Sequence, residues 1–368
     1  MSPGTGPPPE PDPRPDPRAL AARWALLLAL TAAGTAGLDV LAVPSPALFA
    51  GLVAAALLAL LGRGPGRVAR PLSTSAQAVV GVVIGVLARP ETLIAVARDW
   101  LPVLVVGSGT LALSMAAGLL LGRRPGVSPL TGMLALTAGG ASGLVAVSRE
   151  LGGDERVVGV IQYLRVVLVT VSMPLVAATV YGASGGAGPG PAAAGGPWYV
   201  GLLLTAVCGA VGVPLARLLR VPAGGLLGPM TVALVLTLTG VAGDATPPAV
   251  LVELAFAVIG WQAGVRFTPE SLRMVAGLLP AAVALIAAVV LVSAALGALL
   301  ARLTGATPLE GYLATTPGGI YAVLATAISS GVDVAFVVAV QVLRVIVMLL
   351  LAPAAARWVA GRGDETGA

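Results

Sequence analysis

The stretch "LATTPGGIYAVLATAISSGVDVAFVVAVQVLRV" (Leu313–Val345) matches "LALTAGGASGLVAVSRELGGDERVVGVIQYLRV" (Leu134–Val166) without a gap, at an offset of 179 residues. The offset pairs Thr137 with Thr316, Gly139 and Gly140 with Gly318 and Gly319, Gly152 with Gly331, and Asp154 with Asp333. It also pairs Gln162 with Gln341 and Arg165 with Arg344. It continues outward: Pro174 falls on Pro353, "RPETL" (Arg89–Leu93) on "TPESL" (Thr268–Leu272), and Gly81 and Gly85 on Gly260 and Gly264. Self-similarity at a fixed period means one structural unit used twice. Within each copy the glycines interrupt an apolar run, and in the second copy Pro317 precedes them. Glycine costs about 1 kcal/mol relative to alanine inside a helix, and proline removes a donor and clashes with the preceding turn. The two segments are therefore read as broken helices.

The surrounding composition sets the environment. The chain of 368 residues is 57% hydrophobic and 10% charged, with a mean hydropathy of +0.99. Soluble domains hold roughly 45–50% apolar and 25% charged residues. The runs are long rather than alternating, which points to membrane helices and not a barrel. Five spans per half are expected: about 20–42, 45–62, 75–89, 99–122 and 155–181, then 198–216, 224–241, 249–265, 276–301 and 333–357. One broken segment per half completes the unit.

Arginine placement decides the relative orientation of the copies, because cytoplasmic loops collect positive charge. If each broken segment enters and returns, five crossings invert the second copy and sixteen arginines fall on the cytoplasmic side against three outside. If it crosses fully, the copies are parallel and the split is eleven against eight. The expected fold is an all-α integral membrane protein of two inverted repeats, resembling a secondary transporter, in the plasma membrane with both termini cytoplasmic. Residues 1–19 are proline-rich and read as a disordered tail. Repeat 1 covers 20–182, a flexible linker 183–197, repeat 2 198–360, and a short tail 361–368. A retained first helix is expected, and not a cleaved signal.

Several chemistries are disfavoured. All 21 basic residues are arginine, no histidine exists, and the one cysteine, Cys208, lies in an apolar run. Disulfides, haem, copper and ordinary zinc sites lack their ligands, so no cofactor or metal is expected. No Walker-type phosphate loop or serine–histidine pairing is present, and no enzyme activity is expected. The net charge of +5 is spread through short loops, which argues for topology and against direct nucleic-acid binding. The expected partners are the lipid bilayer and a small-molecule solute, with homo-oligomerisation open.

Candidate site residues follow from the breaks. Non-helical backbone at membrane depth survives only when buried in protein or lining a wet cavity. Thr137, Gly139, Gly140 and Ser142, with Thr315, Thr316, Gly318 and Gly319, are read as the tips of two hairpins meeting near the midplane, offering hydroxyls beside backbone amides. The competing reading is that the glycines only allow close packing. Arg165 and Arg344 lie about ten residues into their helices, with Gln162 and Gln341 three residues earlier on the same face. The Gln-x-x-Arg pairs suit an oxyanion. Equally, each arginine would cap the carbonyl end of a broken helix or pair with a buried acid. Asp154 and Asp333 read first as helix N-caps and second as ion-coupling groups. Glu253, whose aligned partner is Thr74, is an acid inside an apolar run and hence a functional candidate, unless it pairs with an arginine.

At "AQAVVGVVIGVLARPETL" (Ala76–Leu93), "TAGGASGLVAVSRELGGDERVVGVIQYLRV" (Thr137–Val166), "LLGPM" (Leu226–Met230), "TTPGGI" (Thr315–Ile320) and "QVLRV" (Gln341–Val345), the chain resembles the AbrB-type membrane family. The resemblance spans residues 20–360. Members carry a duplicated region and names such as transcriptional regulator or ammonia monooxygenase, so the resemblance implies a role in regulation of gene expression. A monooxygenase without histidine lacks metal ligands, and no loop is long enough for a soluble DNA-binding module. Two functions stand: a permease for a small, anionic solute, and a membrane-embedded regulator acting through a partner.

Overall fold

The structure, a computed structural model, describes residues 17–43, 45–88, 90–138, 141–183, 197–221, 223–267 and 269–365. Among these residues there are sixteen helices and no strand. The first eight are α1 (Pro17–Val40), α2 (Pro46–Leu60), α3 (Arg70–Leu87), α4 (Pro90–Arg98), α5 (Trp100–Leu121), α6 (Pro129–Leu136), α7 (Ala141–Glu150) and α8 (Glu155–Tyr181). The second eight are α9 (Trp198–Leu218), α10 (Gly224–Leu238), α11 (Ala249–Gly264), α12 (Pro269–Met274), α13 (Leu279–Thr304), α14 (Pro308–Thr315), α15 (Ile320–Ser329) and α16 (Val334–Glu365). From α3 to α8, each helix begins 179 residues before its counterpart in the second set. Residues 1–16 and 366–368, the inter-repeat linker at 184–196, and Gly139 and Gly140 lie outside the described residues, while 17–19 and 361–365, expected as tail, are the ends of α1 and α16.

Seven helices, α1, α3, α5, α8, α9, α13 and α16, are long and apolar enough to cross a membrane. Three of the ten expected spans fall short. Helices α2 and α10 have 15 residues and α11 has 16, or about 22–24 Å of rise against a hydrocarbon core of ~30 Å. These are the helices clamped against partners from the other half: α2 packs on α11, and α10 on α3. Their backbones nearly touch. A Cβ on Gly81 would lie 2.3 Å from the Leu226 carbonyl oxygen, and one on Gly85 2.5 Å from that of Met230. In the second contact Gly260 meets Leu48 O at 2.3 Å and Gly264 meets Leu52 O at 2.4 Å. In both pairs the contacts advance together along the two chains, so α3 runs in the same direction as α10, and α11 as α2.

Helices α4 and α12 were not foreseen. Each begins at a proline, with Glu91 or Glu270 in its first turn and Arg98 or Arg273 in its last, charges that suit the helix dipole.

Both sixth segments are broken as expected. Helix α6 starts at Pro129 under a Ser128 cap, and α14 starts at Pro308 under a capping box made by Thr307 and Glu310. Each then folds back along the preceding long helix through glycine-on-glycine contact. A Cβ on Gly132 would sit 2.4 Å from Gly118 O, and one on Gly311 2.1 Å from Gly297 O. Helix α6 leaves helical geometry at Thr137 (φ −55°, ψ 124°), and α14 at Thr316 (φ −57°, ψ 127°). Thr316 precedes Pro317, which disfavours the helical region. Thr137 precedes Ala138 and takes the same conformation, so proline is not the cause of the break.

Candidate functional site

What holds each break is hydrogen bonding from the long helix that ends its half, α8 or α16. Gln162 Nε2 donates to Leu134 O (2.7 Å) and Thr137 O (2.9 Å). Arg165 Nη1 donates to Leu136 O (3.0 Å) and Thr137 O (2.7 Å), and its Nη2 to Gln162 Oε1 (2.9 Å). The second half repeats the set. Gln341 Nε2 donates to Leu313 O (2.9 Å) and Thr316 O (3.3 Å); Arg344 Nη1 donates to Thr315 O (3.3 Å) and Thr316 O (3.0 Å); Arg344 Nη2 donates to Gln341 Oε1 (2.5 Å). The last carbonyls of a helix have no partner inside it and carry partial negative charge. A glutamine and an arginine one turn apart supply donors and a positive charge to the carbonyl ends of α6 and α14. Of the readings open at the sequence level, the carbonyl-capping one is what the hydrogen bonds display.

These groups lie deep in the protein. Gln162 and Gln341 are 0% exposed, Arg165 2% and Arg344 4%. Among the described residues no carboxylate lies within ion-pair distance of either arginine, and the Nε of each is buried without a hydrogen-bond partner. Two buried positive charges thus face the breaks with no acid among the described residues to neutralise them.

The two halves meet here. A Cβ on Gly318 would lie 2.9 Å from Val169 Cγ1 and 3.3 Å from Met173 Cε, and one on Gly319 3.4 Å from Val166 Cγ1. Val166 follows Arg165 in sequence and Val169 lies one turn on, so the second break rests on α8 beside the first arginine. Tyr312 of α14 stacks on Tyr181 of α8 with ring centroids 5.4 Å apart. Helix α15 begins at Ile320 behind Gly319, an N-cap residue with no side chain to cap it, and Ala322 N bonds back to Gly319 O (3.0 Å).

The remaining candidates are placed as follows. Thr137 Oγ1 donates to Met133 O and Thr316 Oγ1 to Tyr312 O, both at 2.6 Å, while Thr315 Oγ1 donates to Ser293 O at 2.8 Å. Their hydroxyl protons are satisfied by backbone and are not free donors, which corrects the expectation that they are offered at the tips. Ser142 is the second residue of α7, and its side chain, like Gly139 and Gly140, lies outside the described residues. Asp154 caps α8, accepting from Arg156 N and Val157 N, and Asp333 caps α16, accepting from Ala335 N and Phe336 N. Each is separated from its break by the ten residues of α7 or α15, about 15 Å of helix. Glu253 is exposed on α11 and takes no hydrogen bond from either arginine.

Sequence reading missed the latches beneath these caps. Asp154 N donates to Thr131 Oγ1 (3.0 Å) and Asp333 N to Glu310 Oε1 (2.9 Å), at positions 179 residues apart that the alignment pairs without matching type. Thr92 Oγ1 donates to Asp333 Oδ2 (2.5 Å), tying α4 of the first half to the second. Nothing in the sequence signals that contact.

Comparison with known proteins supplies the family. The family described as "Transition state regulatory protein AbrB" matches residues 49–360. The chain belongs to the AbrB family. It is 30% identical over 337 residues to "Putative regulator AbrB" of Escherichia coli (strain K12), covering 92% of this chain and 96% of that one. It is 29% identical over 299 residues to "Uncharacterized protein YhjN" of Bacillus subtilis (strain 168), covering 75% of this chain and 76% of the other. In this AbrB-family chain the matched region contains both broken segments and both Gln-x-x-Arg pairs.

Proposed function

We propose that this AbrB-family protein is a permease of secondary-transporter type that moves a small anionic solute past the two broken helices, and that its halves are inverted repeats in the plasma membrane with cytoplasmic termini. The observation that carries the reading is the pair of buried arginines at the junction of the halves, without a carboxylate counter-ion among the described residues. A guanidinium in hydrocarbon costs at least ~2.5 kcal/mol unless paired or hydrated. Carbonyl ends neutralise part of each charge, and the uncapped start of α15 adds partial positive charge. An anion reaching the junction gains from all of these.

Inversion is supported by helix direction. The short α2 is taken to cross where the bilayer thins to meet it, so α2 and α3, as successive spans, oppose one another. Since α10 runs with α3 and α11 with α2, each opposes its own counterpart. Broken helices at the interface of inverted repeats are a recurrent way to build a solute site at the midplane. The regulatory reading, a membrane-embedded sensor acting on gene expression through a partner, rests on the printed names of the family and its relative.

Reconstitution tests the proposal. Vesicles holding the purified protein should take up at least one labelled anion from a panel of small carboxylates and inorganic anions faster than protein-free vesicles. Unlabelled anions should compete and cations should not. Arg344→Lys keeps the charge but loses the planar fork. Losing one charge-assisted hydrogen bond, about 1.5–3 kcal/mol, should lower the flux roughly ten- to hundred-fold. Folded protein that moves none of the panel would refute the reading.

A further inference from the structure

A cleft of about 430 Å³ opens between the start of α3 and the end of α9, lined by none of the broken-segment residues. Arg70, the first residue of α3, and Arg217, in the last turn of α9, both line it and both are exposed. No acidic residue lines the cleft, and among the described residues neither arginine makes an ion pair. Thr74 and Ser75, one turn below Arg70, add two hydroxyls. The walls converge at Ala78 and Gly209, where a Cβ on the glycine would be 3.8 Å from the Ala78 Cβ. Eight residues separate Arg70 from Ala78 and Arg217 from Gly209, about 12 Å of rise along each wall. Both helices are long and apolar enough to span a membrane, so the arginines mark the boundary with water and the floor lies in the hydrocarbon.

We propose that this wedge is a binding site for an anionic phospholipid, with Arg70 and Arg217 on the headgroup phosphate, Thr74 and Ser75 as hydroxyl donors, and an acyl chain against Ala78 and Gly209. Guanidinium forks match phosphate oxygens in geometry and charge. Helix α3 also opens on Ala69 without a side-chain cap; Pro71 has no N–H, so the first turn adds the amides of Arg70 and Leu72 only. The apolar floor favours a lipid over a free anion, because inorganic phosphate gains nothing from it. The site is independent of the junction between the broken helices.

The test uses full-length protein in uncharged detergent, titrated separately with phosphatidylglycerol, phosphatidylcholine and inorganic phosphate, with bound ligand counted by native mass spectrometry. Phosphatidylglycerol should bind, phosphatidylcholine should bind more weakly, and inorganic phosphate should not displace it at equal concentration. Each arginine near a membrane surface is worth about 1 kcal/mol, or roughly five-fold. The Arg70→Gln/Arg217→Gln double variant should therefore lose about thirty-fold in affinity. Arg70→Lys/Arg217→Lys should keep most of the binding, and Arg302→Gln, at the end of α13, should bind as the unaltered protein does. Unchanged affinity in the double glutamine variant, or equal binding of the two lipids, would overturn the proposal. Displacement by equimolar phosphate would make this a free-anion site and overturn the lipid assignment. The ligand comparison on the unaltered protein decides the matter even if the double variant fails to fold.

Discussion

Arg165→Ala should lower the stability of the folded protein by roughly 3–6 kcal/mol. The substitution removes two charge-assisted hydrogen bonds to the carbonyl end of α6, on Leu136 and Thr137, each worth about 1.5–3 kcal/mol. It also removes the donor to Gln162 Oε1, on a residue that is 0% exposed. Relief from burying a guanidinium without a carboxylate offsets part of this loss and favours the lower end of the range. Arg344→Ala should cost a similar amount, since its donors reach the equivalent carbonyls of Thr315 and Thr316. Thermal unfolding of the purified protein in detergent measures the effect. Arg302→Ala, at an exposed helix end, serves as the reference and should fall within ~0.5 kcal/mol of the unaltered protein. If Arg165→Ala unfolds with that reference, the arginine does not hold the break.

The second large effect concerns how the halves touch. Gly81→Ala should destabilise by about 1–3 kcal/mol, and Gly81→Leu by more, because the new Cβ falls 2.3 Å from the Leu226 carbonyl oxygen and 3.2 Å from Met230 N. Those neighbours are backbone atoms of α10 and cannot rotate away. Only separation of α3 from α10 relieves the overlap, and it loses the close approach that small residues one turn apart provide in membranes. Gly260→Ala should act alike, through Leu48 O at 2.3 Å and Leu52 N at 2.7 Å. Gly107→Ala is the control: its Cβ would meet nothing within 4 Å, and the change should be neutral or slightly favourable. Equal stability of the Gly81 and Gly107 variants would show that α3 and α10 do not pack this closely.

The sequence carries much of this because the repeat makes two weak signals confirm one another. A lone Gly-Gly pair or a lone Gln-x-x-Arg is ambiguous, whereas both recurring at one offset mark the broken segments and the residues that hold them. The role of Arg165 stayed open for a physical reason. A guanidinium suits a carbonyl end and an oxyanion equally well, and only the distances to Leu136 and Thr137 separate the two. Threonine hydroxyls were misjudged because a helix offers its own carbonyls as nearer acceptors, as Thr137 and Thr316 find at Met133 and Tyr312. Helices α2, α10 and α11 are slightly shorter than the apolar runs that predict them, since hydropathy does not register where a helix ends. Helices α4 and α12 escaped notice because short charged segments flanked by breakers resemble loops. Pairings between distant segments, such as Thr92 with Asp333, depend on tertiary placement that no local pattern encodes.

Cysteine labelling from one side of the membrane tests the opposed orientation of the two halves most directly. Arg123 and Arg302 occupy equivalent positions, 179 residues apart, at the exposed ends of α5 and α13. On a Cys208→Ala background, which removes the buried native thiol, Arg302→Cys should react with a membrane-impermeant maleimide in intact cells. Arg123→Cys should react only after the membrane is opened. Labelling of both positions from the same side would mean that the copies point the same way, and would contradict the inverted arrangement on which the proposed solute path depends.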